Sequence, residues 1–223
     1  MQASINVRFV PERLGAPTTF SLGFRLDAGG GLPPPLTGIE FHYPTDLGIA
    51  TNGLGVASCP LVALEADGPS ICPPDSRMGG GNALVEIPFG GETQQETASI
   101  ALLAGPSQDG YVRMFVNAMG SSPVIAHVVM PALLLPGDLR FTVPLVESLP
   151  GSPYVSVAGA HVTLGGDLTY YERRHGRLVA YRPQGVMLPR DCPRGGFRFS
   201  MNFSFLDGTA ARAQTVVACP RGR

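Results

Sequence analysis

The sequence predicts an all-β fold: a β-sandwich of two packed, mainly antiparallel sheets, disulfide-stapled, with very little helix. Three observations carry this reading. Apolar and polar residues alternate at period two along many short segments. Glycine and proline, 29 and 22 of the 223 residues, fall between those segments as turn signals, with no Gly-X-Y period. All four cysteines precede proline: Cys59-Pro60, Cys72-Pro73, Cys192-Pro193 and Cys219-Pro220. A residue before proline is pushed to extended backbone and proline cannot donate to a ladder, so these cysteines belong at strand ends or in loops.

The elements follow in order. Ile5, Val7 and Phe9 share one face of a first strand. Phe20, Leu22, Phe24 and Leu26 share a face of a second, and Ile39, Phe41 and Tyr43 of a third, with Glu40 and His42 opposite. Further strands are expected at 82–87, 93–103, 110–118, 124–130, 139–146, 154–157, 161–164, 168–173 and 178–181. Residues 60–66 can form one helical turn. Elsewhere proline or glycine intervenes before three turns accumulate.

The chain closes on Phe197, Phe199, Met201, Phe203 and Phe205, alternating with Arg198, Ser200, Asn202 and Ser204. A two-residue Asp207-Gly208 turn would set Arg212 opposite Phe203, on the apolar face. A three-residue Leu206-Asp207-Gly208 loop instead pairs Phe203 with Ala211, Met201 with Ala213, Phe199 with Thr215 and Phe197 with Val217. A one-residue slip inverts every side chain, so burial selects the three-residue loop.

Four cysteines allow three pairings. Spacing favours the local ones, Cys59 with Cys72 and Cys192 with Cys219, in an oxidising compartment; the alternative is four reduced thiols in a cytosolic protein. Met1 runs directly into Gln2-Ala3-Ser4 and a strand. The expectation is an extracellular or cell-envelope protein whose signal peptide has been removed. Two proline- and glycine-rich stretches, 29–35 and 149–153, are candidate joints. The chain is expected to form a single sandwich unit, 1–223, with 1–148 and 149–223 as a possible sub-division.

Charged residues make 15% of the chain and the net charge is −1. No basic face of the kind a nucleic acid requires is present. No apolar run approaches the length of a membrane-spanning helix. All basic residues are arginine, which fits a GC-rich genome.

Motifs of chemistry are missing: no Gly-x-Ser-x-Gly, His-Glu-x-x-His, P-loop, dinucleotide fingerprint or Cys-x-x-Cys. His42 stands near Asp46, a pair that could serve general-base chemistry, but a strand's solvent face ending in a turn explains both. His127 is expected half-buried in an apolar run, His161 facing out and His175-Gly176 at a hairpin turn. Glu40, Glu86 and Glu96 sit on strands without a spacing that selects a glycosidase pair. Residues 76–82 could cradle an anion on backbone amides; a glycine-rich start to a strand is the simpler reading. Tyr170, Tyr171 and Tyr181 with Arg173, Arg174, Arg177 and Arg182 form the one polar-aromatic cluster, a possible partner-binding hairpin for a protein or glycan. Asn202-Phe203-Ser204 fits the glycosylation sequon but lies mid-strand. No catalytic residue, cofactor or metal site is expected.

Three stretches carry a resemblance: 33–39 (PPPLTGI), Cys72-Pro73 with Ser76 and Met78-Gly79-Gly80-Gly81-Asn82-Ala83, and the block from Cys192 to Pro220. With them the chain resembles uncharacterised secreted β-rich proteins of actinobacteria with paired Cys-Pro motifs, a group with no established activity. The resemblance implies export and a β-rich fold and brings no site residues. The function expected is a secreted or cell-surface, non-enzymatic binding or structural module, homo-oligomeric assembly remaining open. The alternative is a secreted hydrolase acting on a polysaccharide or cell-wall polymer.

Overall fold

Period-two alternation becomes strand nearly everywhere it occurs. The computed structural model describes residues 1–89, 91–166 and 168–220, all but 49–52 with their side chains. Its strands are β1 (Gln2–Val10), β2 (Pro17–Asp27), β3 (Leu36–His42), β4 (Gly48–Asn52), β5 (Arg77–Phe89), β6 (Glu92–Gln108), β7 (Tyr111–Met119), β8 (His127–Leu133), β9 (Asp138–Thr142), β10 (Ser156–Leu164), β11 (Tyr170–Arg174), β12 (Arg177–Tyr181), β13 (Gly185–Met187), β14 (Phe197–Phe205) and β15 (Ala210–Val217). The α-helix, α1, spans Leu61–Asp67, close to the turn expected at 60–66. Among the described residues no helix is long and apolar enough to cross a membrane.

Nine strands form one sheet in the order β4-β13-β2-β10-β5-β6-β7-β8, with β1 also paired to β2. Four form a second, β15-β14-β3-β9, and β11-β12 is a separate hairpin. The pairing is antiparallel throughout. The two large sheets pack face to face as a disulfide-stapled sandwich. β1 runs alongside β15 and β8 alongside β9, so the sheets approach each other at both edges. Both glycine- and proline-rich stretches are crossings between sheets: 28–35 leads from β2 to β3, and 143–155 from β9 to β10. Strands from both sides of residue 149 stand next to one another in each sheet.

The closing hairpin has the three-residue loop. Phe203 faces Ala211, Met201 Ala213, Phe199 Thr215 and Phe197 Val217. Gly208 takes φ 81°, the left-handed position that this loop assigns to glycine. Asp207 closes the turn, accepting from the Thr209 hydroxyl at 2.7 Å and its backbone N–H at 2.9 Å. The apolar face of β14 is buried against the large sheet. Phe199 stacks on Phe41 at 6.0 Å between ring centres and meets Phe9 and Phe20 at 6.1 and 5.9 Å.

The cysteines pair locally. Cys192–Cys219 joins the chain ends flanking β14 and β15, with Cα atoms 6.0 Å apart. Cys59–Cys72, with Cα atoms 5.0 Å apart, closes the loop that carries α1. That loop covers the outer face of the large sheet. Leu64 and both cysteines pack on Ala101, Leu103 and Phe115 in a second small core, and the Cys59 N–H donates to the Ala104 carbonyl at 2.8 Å.

Three expectations about elements need correction. The segments at 154–157 and 161–164 belong to one strand, β10, with a bulge between Val157 and Gly159 absorbing the phase change. The strand expected from 124 begins at His127, because the preceding loop is held elsewhere. The strand expected to 146 stops at Thr142, ahead of Pro144. The short strands β4 and β13 lack any local alternation and exist through their pairing to one another and to β2.

The glycine run after Ser76 is strand β5, so it is no anion nest. A Cβ on Gly79 would lie 2.0 Å from the Thr163 carbonyl oxygen, and one on Gly81 1.9 Å from that of His161. These glycines let β5 and β10 approach. Gly81→Ala is expected to cost about 3 kcal/mol in thermal unfolding, by forcing the two backbones apart. Gly31→Ala, in open space, should change stability by less than about 0.5 kcal/mol; equal effects would refute the close-approach account.

Candidate functional site

The polar candidates are brought to three places. On the outer face of the four-stranded sheet, His42 of β3 faces Asp138 of β9, and Glu40 faces Arg140. His42 Nδ1 lies 3.4 Å from Asp138 Oδ1, and Arg140 Nε donates to Asp138 Oδ2 at 2.8 Å. Asn202 of β14 donates to Glu40 at 3.2 Å, so its side-chain nitrogen is engaged and the sequon serves the sheet. His42 therefore partners Asp138 and not Asp46. Cross-strand pairs on an open sheet face account for the whole group. Among the described residues no cluster of His, Cys, Asp or Glu could hold a metal ion.

The remaining histidines stand apart. His161 is exposed on β10. His127 is exposed, where half-burial was expected, and its ring hydrogen-bonds the buried Asn117. His175 and Gly176, with φ 48° and 78°, form the two-residue turn of the β11-β12 hairpin.

That hairpin divides the tyrosine–arginine cluster by strand parity. Tyr170 is 2% exposed. Its hydroxyl donates to the Arg77 carbonyl and accepts from the Gly55 N–H at 3.1 Å, and its ring meets Tyr181 edge-on at 5.4 Å. Burial pushes its phenol above the ordinary tyrosine value. Tyr170 anchors the hairpin and offers no surface. Tyr171, Leu178 and Val179 are exposed, as are Arg173, Arg174 and Arg177, with Arg174 engaged to Glu172 at 2.8 Å.

The main apolar feature was not anticipated from the residues. Between the two sheets lies an apolar cavity of about 220 Å³. Its walls include Leu22 and Phe24 of β2, Val85 of β5, Ala98 and Ile100 of β6, Val116 and Ala118 of β7, Met130 of β8, Phe141 of β9 and Val162 of β10. At one end Leu102, Met114, Leu134, Leu139 and Leu164 are buried and close it. At the other end Val124, Ala126, Val143, Val146 and Val155 are only half-buried and Pro144 is exposed. The cavity opens there.

Glu96 is the one ionisable side chain among the lining residues, and it is 6% exposed. Its Oε1 accepts from the backbone N–H groups of Ser121 and Ser122, and its Oε2 from that of Val124 at 3.2 Å. The Gly120 N–H donates to the Ala126 carbonyl at 2.9 Å. A Cβ on Gly120 would lie 2.5 Å from the Val124 carbonyl oxygen, so glycine is required. Glu96 thus folds loop 120–126 across the mouth. This is why β8 starts late. The sequence signal was present: a carboxylate on the inward parity of β6, followed at the same parity by Ala98, Ile100 and Leu102. Glu40 and Glu86 face elsewhere; Glu86 accepts from Gln95 at 3.1 Å.

No family model, no curated protein and no solved structure matches this chain.

Two outcomes follow from the side chains described. Glu96→Ala removes the acceptor of three amides and should cost about 2 kcal/mol or more. Amide exchange at Ser121, Ser122 and Val124 should then accelerate; unchanged exchange would show that the carboxylate does not hold the loop. Burial and the nearby Asp138 push Tyr43 up to about 12. The raised folded value means that its contribution, about 2–3 kcal/mol, is complete below pH 10 and lost as pH rises through 12. Tyr43→Phe should flatten that alkaline limb in denaturant unfolding measured against pH.

Proposed function

We propose that the protein is a secreted or cell-surface, non-enzymatic binding module whose ligand site is the apolar cavity between its sheets. The observation that carries this is the cavity's chemistry. An enzyme site gathers titratable groups in a concavity. Here the concavity is walled by aliphatic and aromatic side chains, and its single carboxylate is already bound by three backbone amides.

Energetics support a ligand over a packing defect. At roughly 24 cal/mol per Å³, an empty cavity of this size costs about 5 kcal/mol. That equals much of the net stability of an ordinary domain. A purely structural sandwich gains nothing from that cost, whereas a binding protein recovers it when occupied. The two disulfides and the resemblance to exported proteins support an extracytoplasmic location. The exposed half of the hairpin, Tyr171, Arg173, Arg174 and Arg177, is the partner-facing surface in the same reading.

Titration of the purified protein with 1-aminoanthracene tests the site. The fluorescence of the probe should rise on saturable binding. Ala98→Phe, which places a ring inside the cavity, should weaken binding at least tenfold while holding or raising the unfolding temperature. Absence of saturable binding to the native chain would sink the reading.

A further inference from the structure

Resting on the reading of the inter-sheet cavity as an apolar-ligand site, we propose that its ligand is the single unbranched alkyl chain of a neutral amphiphile, held tail-first with the polar end at the mouth. The shape of the cavity supports one chain. Its lining on β6 runs from Glu96 to Leu102, six residues on, or about 20 Å of extended backbone. About 220 Å³ spread along that path leaves a long, thin slot that takes one alkyl chain, or a flat, elongated aromatic such as 1-aminoanthracene. A globular cage such as adamantane would need a shorter and wider chamber.

The polarity of the two ends supports the orientation. The closed end is formed by Leu102, Met114, Leu134 and Leu164, with Phe20 and Met201 beside them. None of these side chains can solvate a headgroup, and burying one unpaired would be costly. The open end has solvent, the backbone of loop 120–126 and Glu96. No arginine is among the lining residues to pair an anionic headgroup at the mouth, where Glu96 already takes up three backbone amides; a hydroxyl or ester needs no such partner. Val124 and Ala126 line the tube on either side of Ile125, which is 88% exposed. The loop that Glu96 holds therefore forms the rim over which the chain passes.

The test is displacement of 1-aminoanthracene from the whole protein by octanol, decanol, dodecanol and tetradecanol, each below its aggregation concentration, with 1-adamantanol and dodecanoate as comparators. Affinity should rise by about fourfold for each methylene buried and then level off when the tube is full. Dodecanol should exceed both 1-adamantanol and dodecanoate at neutral pH. Val116 faces Leu102 across the β6-β7 pair; Val116→Phe should move the plateau to a shorter alcohol and leave octanol binding within twofold. The native series decides the matter if this variant does not fold. Saturable aminoanthracene binding without chain-length dependence, or with 1-adamantanol equal to dodecanol, overturns the single-chain proposal and leaves the apolar site standing. Dodecanoate binding as tightly as dodecanol overturns the neutral headgroup. No aminoanthracene binding at all removes both.

Discussion

The packing of Phe199 and Phe41 of the small sheet against Phe9 and Phe20 of the large one sets the distance between the sheets. Facing sheets lie about 10 Å apart, and that gap is filled only when large side chains reach in from both sides. Where β14 overlies β1 and β2, phenylalanines do so: Phe9, Phe20, Phe197 and Phe199 meet in tilted and edge-on pairs, and Phe24 meets Phe203 at 5.0 Å. The small sheet has four strands and the large one nine. Beside β14, of which only Met201 reaches the cavity, the wall of β10, β5, β6 and β7 presents Ala160, Ala83, Ala98 and Ala118. Their side chains are too short to cross a gap that the phenylalanines hold open. The cavity is thus a consequence of residue size on one parity of each strand.

The order and phase of the strands were legible because each is encoded locally. Alternation places Ile5, Val7 and Phe9 together, and likewise Ile39, Phe41 and Tyr43, whatever the topology. The hairpin register was legible for the same reason: the wrong one would bring Arg212 to a face that must be buried. The short strands β4 and β13 carry no such pattern, since their stability comes from pairing with distant segments. The start of β8 depends on Glu96, about 30 residues earlier, an interaction that no window along the chain contains. Parity also explains why the tyrosine–arginine hairpin was only partly readable. Tyr170 and Tyr171 are adjacent, so one must point inward, and which one depends on the Arg77 carbonyl that accepts from its hydroxyl and the Gly55 N–H that donates to it.

The cavity was the least legible feature, although its residues were all in view. An inward strand face of Ala, Val and Ile reads as core in any sandwich. It becomes a cavity only through what stands opposite, and that depends on the order of seven or more strands. Glu96 was the exception. A carboxylate at an inward position must either be paired or mark an opening, and here it does both: it is satisfied by the loop amides and stands at the mouth.

A wall with little packed against its inner face has to be supported from outside. β6 and β7 line the cavity with Ala98, Ile100, Val116 and Ala118, and on their other parity present Ala101, Leu103 and Phe115. The Cys59–Cys72 loop and α1 bury this outer set. The second disulfide, Cys192–Cys219, clamps the open end of the hairpin whose phenylalanines space the sheets. Closing loops with separations of 13 and 27 residues contributes about 3 kcal/mol each in the chain-entropy account. Together that is the same size as the roughly 5 kcal/mol that an empty cavity of this volume costs. The two bridges are placed where they offset that cost, one behind the cavity wall and one at the hairpin that spaces the sheets. The cavity and the cysteines are then parts of one arrangement, in which covalent links replace the packing that the inward alanines give up.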